Sequence, residues 1–503
     1  MKFDSASSVS KQTEVRPQFA PTSSIQAAIG KTPQNGNPLI AHKFGADPYA
    51  LVFHNRVYLY MTSDTLEHDS NGLPQKNSYK SINRITIISS DDLFNWTDHG
   101  EIQVAGPQGA APWAIQSWAP AAVHQMIDGK YRFFLYFANN ASGIGVLSAP
   151  SPVGPWTDPI GEALITRETP GVEEVTWLFD PAVLVDDDHR AYIYFGGGIP
   201  KGKAQSPDTA RVMRLGEDMI SVVGRAKVIP APYMFEDAGI HKYNNTYYFT
   251  YCSNFHEGIR PEGSPPPGEI AYMTSDQPMG PWTYRGSILK NPGHFFGVGG
   301  NNHHAIFQFA DYWYITYHAQ TLSHVMGAPD GYRSTHLNRI NFDEADGRIH
   351  EVDADVQGVA QVKLFDPFQR VTAATMGWSA GVKTKRLNLQ GTEPSTESEV
   401  VITDMGNGSW IALSKVDFGH EGAASFSAMI SNAGAEGLVD LRLDQPDGQL
   451  VGQLLIRSSD INNSWLEYST PVTGAQGVHD LCIVIAATAT ERPDISISQW
   501  GFE

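Results

Sequence analysis

Three acidic residues begin apolar strands in widely separated parts of the chain. Asp47, Asp180 and Glu236 each stand directly before an alternating run of apolar and aromatic residues. A charge at the start of a buried strand is costly unless a partner or a function compensates for it. Carboxyl groups whose pKa values are pushed apart can serve as a general acid and a general base, and a third negative group nearby raises the pKa of the acid. The three residues therefore have the chemistry for acid–base catalysis if the fold brings them together.

Repetition in the sequence indicates that it does. One pattern, a polar opening followed by two strands, occurs five times: ADPYALVFHNRVYLYMTSD, WAPAAVHQMIDGKYRFFLYFANN, FDPAVLVDDDHRAYIYFGGG, EDAGIHKYNNTYYFTYCSN and NNHHAIFQFADYWYITYHAQ. Aligning the openings places Asp47, Ala119, Asp180, Glu236 and Asn302 in one column. Residues that are far apart in sequence thus occupy equivalent positions in a repeated unit.

The repeated unit is typical of a propeller blade. Most copies are followed by an outer pair of strands with a tryptophan turn, as in ISSDDLFNWTDHG, LSAPSPVGPWTDP and MTSDQPMGPWTYRG. Four strands and no helix per unit indicate a β-propeller, whose innermost strands run along a central axis and begin at one mouth of the channel. We therefore predict an all-β chain with a five-bladed β-propeller over residues 31–360, preceded by a flexible N-terminal tail over residues 1–30.

The pattern changes near residue 365. Strands such as GLVDLRLD, LVGQLLIRSS and LCIVIAATA alternate with polar turns such as DQPDGQL. This spacing is typical of a β-sandwich. The sequence therefore predicts a second, β-sandwich (jelly-roll) domain over residues 365–503.

Composition excludes several classes of partner. The 503 residues exceed what one hydrophobic core usually holds, and 35 basic against 54 acidic residues give a net charge of −19. This charge disfavours binding to nucleic acid or to an anionic membrane, and no apolar run approaches the ~18 residues of a membrane span. The two cysteines do not form a disulfide scaffold or a metal motif. We expect a monomer, and favour an extracellular location after loss of a signal peptide over a cytoplasmic one.

Three converging acids admit two interpretations. In the first, each acid caps a turn or pairs with an arginine. In the second, they hydrolyse a glycosidic bond, where one carboxylic acid protonates the leaving oxygen and one carboxylate activates water on the other side of the sugar. Equivalent positions in a repeat favour the second interpretation, because structural caps have no reason to meet in one pocket.

The motifs GADPYALVFHNRVYLY, SWAPAAV, WLFDPAVLVDDDHRAYIYFGG, FEDAGIHKYNNTYYFTYC and GYRSTHLNRINF resemble glycoside hydrolase family 43, an inverting family with a five-bladed propeller. The resemblance implies that Asp47 is the general base, Glu236 the general acid and Asp180 the residue that tunes and orients the acid. An inverting mechanism places acid and base about 6.5 to 9.5 Å apart. Asp237 competes with Glu236 for the acid role, but strand alternation admits only one of them to the pocket. The repeat register favours Glu236.

Other residues of the pattern are candidates for substrate contact. Trp118, Trp177 and Phe179 stand close before strand openings, where a flat apolar face can stack on a sugar. Packing between blades is the alternative for both tryptophans. Arg333 matches a family arginine that reaches the substrate, and a plain salt bridge is its alternative.

The fifth copy opens with histidine. The family resemblance implies that His303 lies on the propeller axis and holds a hydrated Ca²⁺ or water. Histidine is an unusual ligand for a cation that prefers oxygen, so waters would supply most of the coordination. A metal-free structural histidine is the alternative. The chemistry itself requires no cofactor, because side chains supply both the acid and the base.

The second domain resembles a carbohydrate-binding module of family 6. The family's opening usually has acids that bind a structural calcium, whereas this chain has Thr372 and Ala374 there, so that calcium is not expected. Trp410, Trp465 and Tyr468 are candidates for stacking on a sugar, with core or interface packing as the alternative.

The combination of domains implies a specific substrate. With this combination of domains, the chain is most similar to family 43 arabinofuranosidases, which remove L-arabinofuranose side chains from arabinoxylan. We therefore expect its partner to be a plant cell-wall polysaccharide or oligosaccharide (arabinoxylan, xylan or arabinan). A β-xylosidase or an arabinan-degrading enzyme of the same family is the alternative. A non-catalytic glycan-binding propeller is the alternative of another class.

Overall fold

The computed structural model describes residues 25–387, 400–432, 437–457, 465–487 and 495–503. These residues form β-strands and two short helices, α1 (Pro292–Phe296) and α2 (Thr321–Val325). Within the ranges given, neither helix has the length and apolar character to cross a membrane. The predicted all-β chain is confirmed.

Residues up to 340 form antiparallel strands in chain order. These are β1 (Ala46–Phe53), β2 (Arg56–Thr62), β3 (Arg84–Ser90), β4 (Trp96–Gln103), β5 (Trp118–Ile127), β6 (Lys130–Ala138), β7 (Ile144–Ala149), β8 (Ala182–Val185), β9 (Ala191–Phe195), β10 (Ala210–Leu215), β11 (Val222–Ile229), β12 (Met234–Tyr243), β13 (Thr246–Ser253), β14 (Ile270–Ser275), β15 (Thr283–Leu289), β16 (His304–Phe309), β17 (Tyr312–Ala319) and β18 (Ser334–Ile340).

Neighbouring strands pair into sheets that follow the chain. Within residues 25–387 the sheets are β1–β4, β5–β7, β8–β11, β12–β15 and β16–β18. The first strand of each sheet contacts the first strand of the next, and β16 contacts β1, so the contacts close into a circle. The segment before β1 runs along β18, where the Leu39 amide donates to the Thr335 carbonyl at 2.8 Å. The start of the chain thereby joins the first sheet to the last.

A repeated tyrosine joins consecutive sheets. Tyr60, Tyr136 and Tyr194 occupy the same register position on the second strand of the first three sheets and are buried. Their hydroxyls donate to the carbonyls of Pro152, Met219 and Pro278, each at 2.6 Å and each in the following sheet or its loops. A buried tyrosine needs a partner for its hydroxyl. The aromatic second strands of the sequence repeat therefore connect the sheets as well as filling the space between them.

The second domain is a β-sandwich. Its strands are β19 (Val371–Thr372), β20 (Thr375–Met376), β21 (Trp378–Ala380), β22 (Lys383–Arg386), β23 (Val400–Met405), β24 (Trp410–Asp417), β25 (Ser425–Asn432), β26 (Gly437–Leu443), β27 (Gln449–Ile456), β28 (Leu466–Pro471), β29 (Val478–Ala487) and β30 (Ile495–Phe502). One sheet has the order β22-β23-β30-β25-β28 with β19 on β30, and the other has the order β21-β24-β29-β26-β27. Their inner faces share one hydrophobic core.

Hydrogen bonds fix the two domains to each other. Strand β20 pairs with β4 and so extends the first sheet of the preceding domain. Beside it, the side chain of Asn95 accepts from the Ser414 amide at 2.8 Å and donates to the Ser414 carbonyl at 3.1 Å. The Asn95 side chain also donates to buried Asp92 at 2.7 Å, and Gln361 donates to both Asp92 and Ser414. The junction is thus a buried polar network.

Residues 25–30 differ from the predicted flexible tail. Ile25 and Ala28 pack against the interface cluster that contains Trp378 and Trp410. The indole of Trp410 donates to the Gln26 carbonyl at 2.8 Å. These residues are held because they cover apolar surface of the sandwich, a contact that a polar sequence does not reveal. Trp410 is accordingly an interface residue, and residues 1–24 of the predicted tail lie outside the described residues.

Replacing Asn95 with alanine tests the junction. Asn95→Ala removes the side-chain acceptor of the Ser414 amide and one donor to buried Asp92, and we expect a loss of about 2–4 kcal/mol in the free energy of unfolding. Scanning calorimetry should show the sandwich unfolding at a lower temperature than in the parent protein. The matched variant Asn71→Ala, at an exposed turn, should change the thermogram little. An unaltered transition in Asn95→Ala would contradict the proposed stabilisation.

Candidate active site

Irregular strand openings aim the acidic side chains. The pairing of β1 with β2 shifts register between Ala46 and Tyr49, and Asp47 within the shift has φ of 47°. Asp180, just before β8, also has φ of 47°. Bulges of this kind re-aim a side chain, and aspartate tolerates the left-handed conformation better than most residues. The Asp-Pro sequence fits because proline donates no ladder hydrogen bond and is tolerated at a bulge.

The register of the fourth sheet corrects the sequence alignment. The ladder of β12 breaks between Glu236 and Gly239, and the left-handed residue there is Asp237, with φ of 68°. Asp237 is therefore the structural equivalent of Asp47 and Asp180, whereas Glu236 lies one position earlier. The alignment in the sequence analysis was wrong here because it did not allow for the bulge.

The position of Glu236 is shared by two aromatic residues. Trp118 and Phe179 also stand one residue before a left-handed residue, namely Ala119 and Asp180. All three side chains line one cavity. The strand openings thus provide two neighbouring positions, namely the left-handed residue and the residue before it, which lines the cavity in three of the sheets.

The cavity collects most of the predicted site residues. It has a volume of about 260 Å³. Its lining consists of Asp47, Tyr79, Ile82, Trp118, Phe179, Asp180, Phe235, Glu236, Asn301, His303 and Arg333. The three carboxyl groups identified from the sequence therefore meet at one pocket, together with predicted contact residues.

Arg333 determines the charge of Asp47. Its Nη1 donates to Asp47 Oδ1 at 2.7 Å, and its other donors bind Asp64 at 2.9–3.0 Å. Burial opposes ionisation of Asp47, but the charge of Arg333, helped by His303 and His318, lowers the pKa of Asp47 below its ordinary value. Asp47 is consequently an ionised carboxylate in a buried site, as a general base must be.

Glu236 is in the opposite electrostatic situation. Burial and the negative charges of Asp180, Asp47 and Asp237 raise the pKa of Glu236 well above its ordinary value. Its Oε1 is buried and has no hydrogen-bond partner within the described residues. A protonated carboxyl group with a free oxygen at a pocket wall is suited to donate a proton to a bound ligand.

The pKa of Asp180 is raised, as that of Glu236 is. Burial and the charge of Asp47 raise its pKa, while its Oδ2 accepts a hydrogen bond from the Asp237 amide at 2.9 Å. This amide holds the carboxyl group in place next to the strand that carries Glu236. The negative charge of Asp180 is also one of the causes that keep Glu236 protonated.

Asp237 and His304 lie behind the cavity, next to His303, which lines it. Asp237 is fully buried, and its carboxylate contacts His304 Nδ1 at 2.6 Å and His303 Nε2 at 3.2 Å. His304 Nε2 bonds to the Thr250 hydroxyl at 2.8 Å. Asp237 does not line the cavity, so the competitor for the acid role is placed behind the pocket wall.

The donors around His303 do not fit a calcium ion held by protein oxygen atoms. Its Nε2 faces Asp237, and its Nδ1 lies 3.5 Å from Asp47 Oδ1. In the ranges that the structure covers, no group of three or more histidine, cysteine, aspartate or glutamate side chains is arranged to hold a metal. A hydrated ion would contact the protein chiefly through His303, and that expectation stays a prediction.

The aromatic residues near the cavity fall into two groups: some line it, and one packs behind those that do. Trp118 and Phe179 line the cavity, and Phe235, which the sequence analysis missed, lines it as well. Trp177 lies behind them, with its ring centroid 5.3 Å from that of Phe179 and 5.3 Å from that of Phe235, both edge-on. The structure therefore places Trp177 as a support for two lining rings.

Two further residues escaped the sequence analysis for identifiable reasons. Tyr79 comes from the irregular connection between β2 and β3, outside the repeated pattern, and its ring lies 5.2 Å from the Arg333 guanidinium. Asp64 follows β2 and binds Arg333 without reaching the cavity. The only sequence signal for Asp64 was an acid after an apolar strand.

Comparison with known proteins agrees with this geometry. Glycosyl hydrolases family 43 matches residues 36–349, and carbohydrate binding module (family 6) matches residues 372–503. An arabinoxylan arabinofuranohydrolase of Paenibacillus polymyxa is 49% identical over 486 residues, which cover 94% of this chain and 75% of that protein. The protein of the same description from Bacillus subtilis (strain 168) is 50% identical over 475 residues, covering 92% and 91%.

A solved structure extends the similarity to the whole fold. The family 43 arabinoxylan arabinofuranohydrolase from Bacillus subtilis in complex with cellotetraose has a TM-score of 0.91 and 50% identity, covering 95% of this chain and 99% of that one. The family match spans more than half of the chain, and the relatives cover both domains. The chain therefore belongs to glycoside hydrolase family 43 and carries a family 6 carbohydrate-binding module after its catalytic domain.

Proposed function

We propose that this glycoside hydrolase releases L-arabinofuranose side chains from arabinoxylan with inversion of configuration. The observation that carries the proposal is the convergence, on one cavity, of a carboxyl group with a raised pKa and a carboxylate with a lowered one. The two relatives at 49% and 50% identity bear the description arabinoxylan arabinofuranohydrolase. Binding alone does not need this pair, which argues against a non-catalytic glycan-binding propeller.

The proposed reaction is a single displacement. Glu236 donates its proton to the glycosidic oxygen as the bond to the sugar breaks. Asp47 accepts a proton from a water molecule whose oxygen attacks the anomeric carbon from the opposite face. At the end Asp47 is protonated and Glu236 ionised, and exchange with solvent restores both. Asp180 tunes and orients Glu236, and Arg333 keeps Asp47 ionised and in position.

The cavity supports removal of one sugar at a time. A volume of about 260 Å³ lies just below the usual range for ligand pockets and suits a single monosaccharide. Trp118, Phe179 and Phe235 supply flat apolar walls against which a sugar ring can stack. A branch sugar can enter such a pocket while the polymer to which it is attached stays outside.

We also propose that each of the five sheets is one blade of a five-bladed propeller. Support comes from the circle of contacts among the first strands, in which β16 returns to β1. The polar axis beneath the cavity, with Asp237, His303 and His304, fits a propeller channel. In that arrangement the active site lies at the mouth where the first strands begin.

Substitution of the general acid tests the assignment most directly. We expect Glu236→Gln to lower kcat on arabinoxylan at least ~100-fold, because a glutamine cannot protonate the leaving oxygen. The loss should be much smaller on a dinitrophenyl arabinofuranoside, whose leaving group needs no proton. Steady-state kinetics on both substrates provide the measurement, with exposed Glu217→Gln as the control. Equal losses on the two substrates would exclude Glu236 as the acid.

Removing Arg333 should move the pH dependence. Asp47 must be ionised, so activity disappears as the pH falls through its pKa, which Arg333 depresses. In Arg333→Met the pKa of Asp47 rises, and the acidic limb of the kcat/KM profile should shift to higher pH by at least ~1 unit. Arg348→Met, at an exposed surface pair, should leave the profile unchanged. A folded Arg333→Met protein with an unshifted acidic limb would contradict the role of Arg333.

Metal removal is expected to spare the chemistry. Since the proposed acid and base are both side chains, dialysis against EDTA should change kcat on an aryl arabinofuranoside by less than about twofold. Elemental analysis before and after dialysis establishes whether an ion was removed. A loss of kcat that calcium restores would mean that the axis ion participates in shaping the site.

The stereochemistry and the sugar are tested together. Proton NMR of the first product should show the anomer opposite to that of the substrate, since water attacks once. Release of arabinose from wheat arabinoxylan, with little hydrolysis of a β-xyloside, is the expected specificity. Preferential release of xylose from xylooligosaccharides would replace the arabinofuranosidase with the β-xylosidase alternative.

A further inference from the structure

A second cavity lies between the two domains, at the outer edge of the first sheet. It has a volume of about 570 Å³. One wall comes from β3, β4 and the segment before β1, and the other from β22 and the start of β23. Six basic residues line it: His42, Lys43, Arg84, Lys383, Lys385 and Arg386. Such a concentration of positive charge is unexpected in a chain with a net charge of −19.

Part of this charge is compensated locally. Buried Asp98 contacts His42 Nε2 at 2.8 Å and Lys43 Nζ at 2.7 Å, so these two side chains belong to the floor of the groove. Arg84 pairs with Glu101 at 3.1 Å. These contacts fix the floor and one rim of the groove.

The remaining charge on β22 is less well compensated. Lys385 is exposed and has no ion-pair partner in the part of the chain that the structure describes. Arg386 donates through Nη2 to the carbonyl of His99 at 2.8 Å, a neutral acceptor, and its buried Nε lacks a partner within the same residues. Lys383 pairs with Asp404 at 2.8 Å, but its side chain is 69% exposed. The wall formed by β22 is therefore positive and open to solvent.

The groove adjoins the active-site cavity along the first sheet. Ile82 lines the cavity and Arg84 lines the groove, and two residues of extended chain span only about 7 Å. At the end of β2, the Ser63 hydroxyl donates to Glu101 on the groove side while the next residue, Asp64, binds Arg333 behind the cavity. A polymer that occupies the cavity with one branch can therefore reach the groove within a few sugar units.

We propose that this interdomain groove binds the carboxylate of a uronic acid substituent on the same xylan chain whose arabinose branch enters the cavity. The proposal rests on the proposed function and adds an acidic branch to the substrate that the enzyme prefers. Ammonium and guanidinium groups form charge-assisted hydrogen bonds with carboxylates, which neutral sugars cannot offer. The strongly negative charge of the rest of the protein disfavours a nucleic acid in this groove.

Two substrates that differ only in charge provide the test. Glucuronoarabinoxylan is compared with the same polymer after chemical reduction of its carboxyl groups to primary alcohols. We expect the wild-type enzyme to have a KM about three- to tenfold lower for the acidic polymer at low salt, given the modest strength of exposed ion pairs. The advantage should disappear near 1 M NaCl, where the Debye length is about 3 Å. It should also disappear in the double variant Lys383→Gln/Lys385→Gln.

Controls separate the groove from the catalytic site. The double variant should keep wild-type kcat on an aryl arabinofuranoside and wild-type KM on the reduced polymer, because neither lysine lines the cavity. The matched variant Lys130→Gln/Lys227→Gln, at exposed positions elsewhere, should retain the preference for the acidic polymer. Affinity gel electrophoresis of Glu236→Gln in each polymer measures the same preference without turnover.

Two outcomes would overturn the proposal. If the wild-type enzyme treats both polymers alike, or if the lysine variant loses affinity for both equally, the groove does not recognise a carboxylate. Release of arabinose from both polymers in that experiment would leave the proposed function intact. Failure to release arabinose from either polymer would overturn the proposed function and the groove proposal together.

Discussion

The structure of the active site depends on one buried cation. Arg333, directly before β18, binds Asp47 on β1 and Asp64 in the loop after β2. Removing one partner of a buried ion pair typically costs about 3–5 kcal/mol, because the remaining charge is left in an apolar environment. The same contact keeps Asp47 ionised. The same interaction therefore links the last sheet to the first and sets the protonation state of the base.

Backbone irregularity, rather than regular strand geometry, positions the other acids. Left-handed residues at Asp47, Ala119, Asp180 and Asp237 interrupt the ladders where the first strands begin. Such conformations cost on the order of 1 kcal/mol each and persist where surrounding structure holds them. Here the interruption lies next to Glu236, which lines the cavity, while Asp237 contacts His303 and His304 behind it. Burial and the repulsion among these acids raise the pKa of Glu236, and both oppose folding when the group is charged.

Much of this arrangement could be predicted from the sequence, and the failures have physical causes. The repeats identified the sheets and the strand openings, and hence Asp47 and Asp180. Glu236 was found by an alignment that was wrong by one residue, because strict alternation of side chains does not hold across a bulge. The sequence around Trp177 resembles that around the lining residues Trp118 and Phe179. The two roles cannot be told apart from sequence, because a ring that lines the pocket and a ring that packs behind it are both aromatic. Tyr79 lies in an irregular loop, where no periodic pattern exists to reveal it.

The contacts at the domain junction fix the position of the second domain relative to the first. The network around Asn95 and Asp92, the shared sheet formed by β20 and β4, and the docked residues 25–30 leave the sandwich little freedom to move relative to the first sheet. A flexible linker would supply only an effective concentration of a second polymer-binding surface. A fixed junction instead holds the proposed interdomain groove at one distance and orientation from the catalytic cavity, so less entropy is lost when one polymer contacts both. The selectivity of such an enzyme for patterns of branches along a chain then depends on the geometry between its domains as much as on the shape of its pocket.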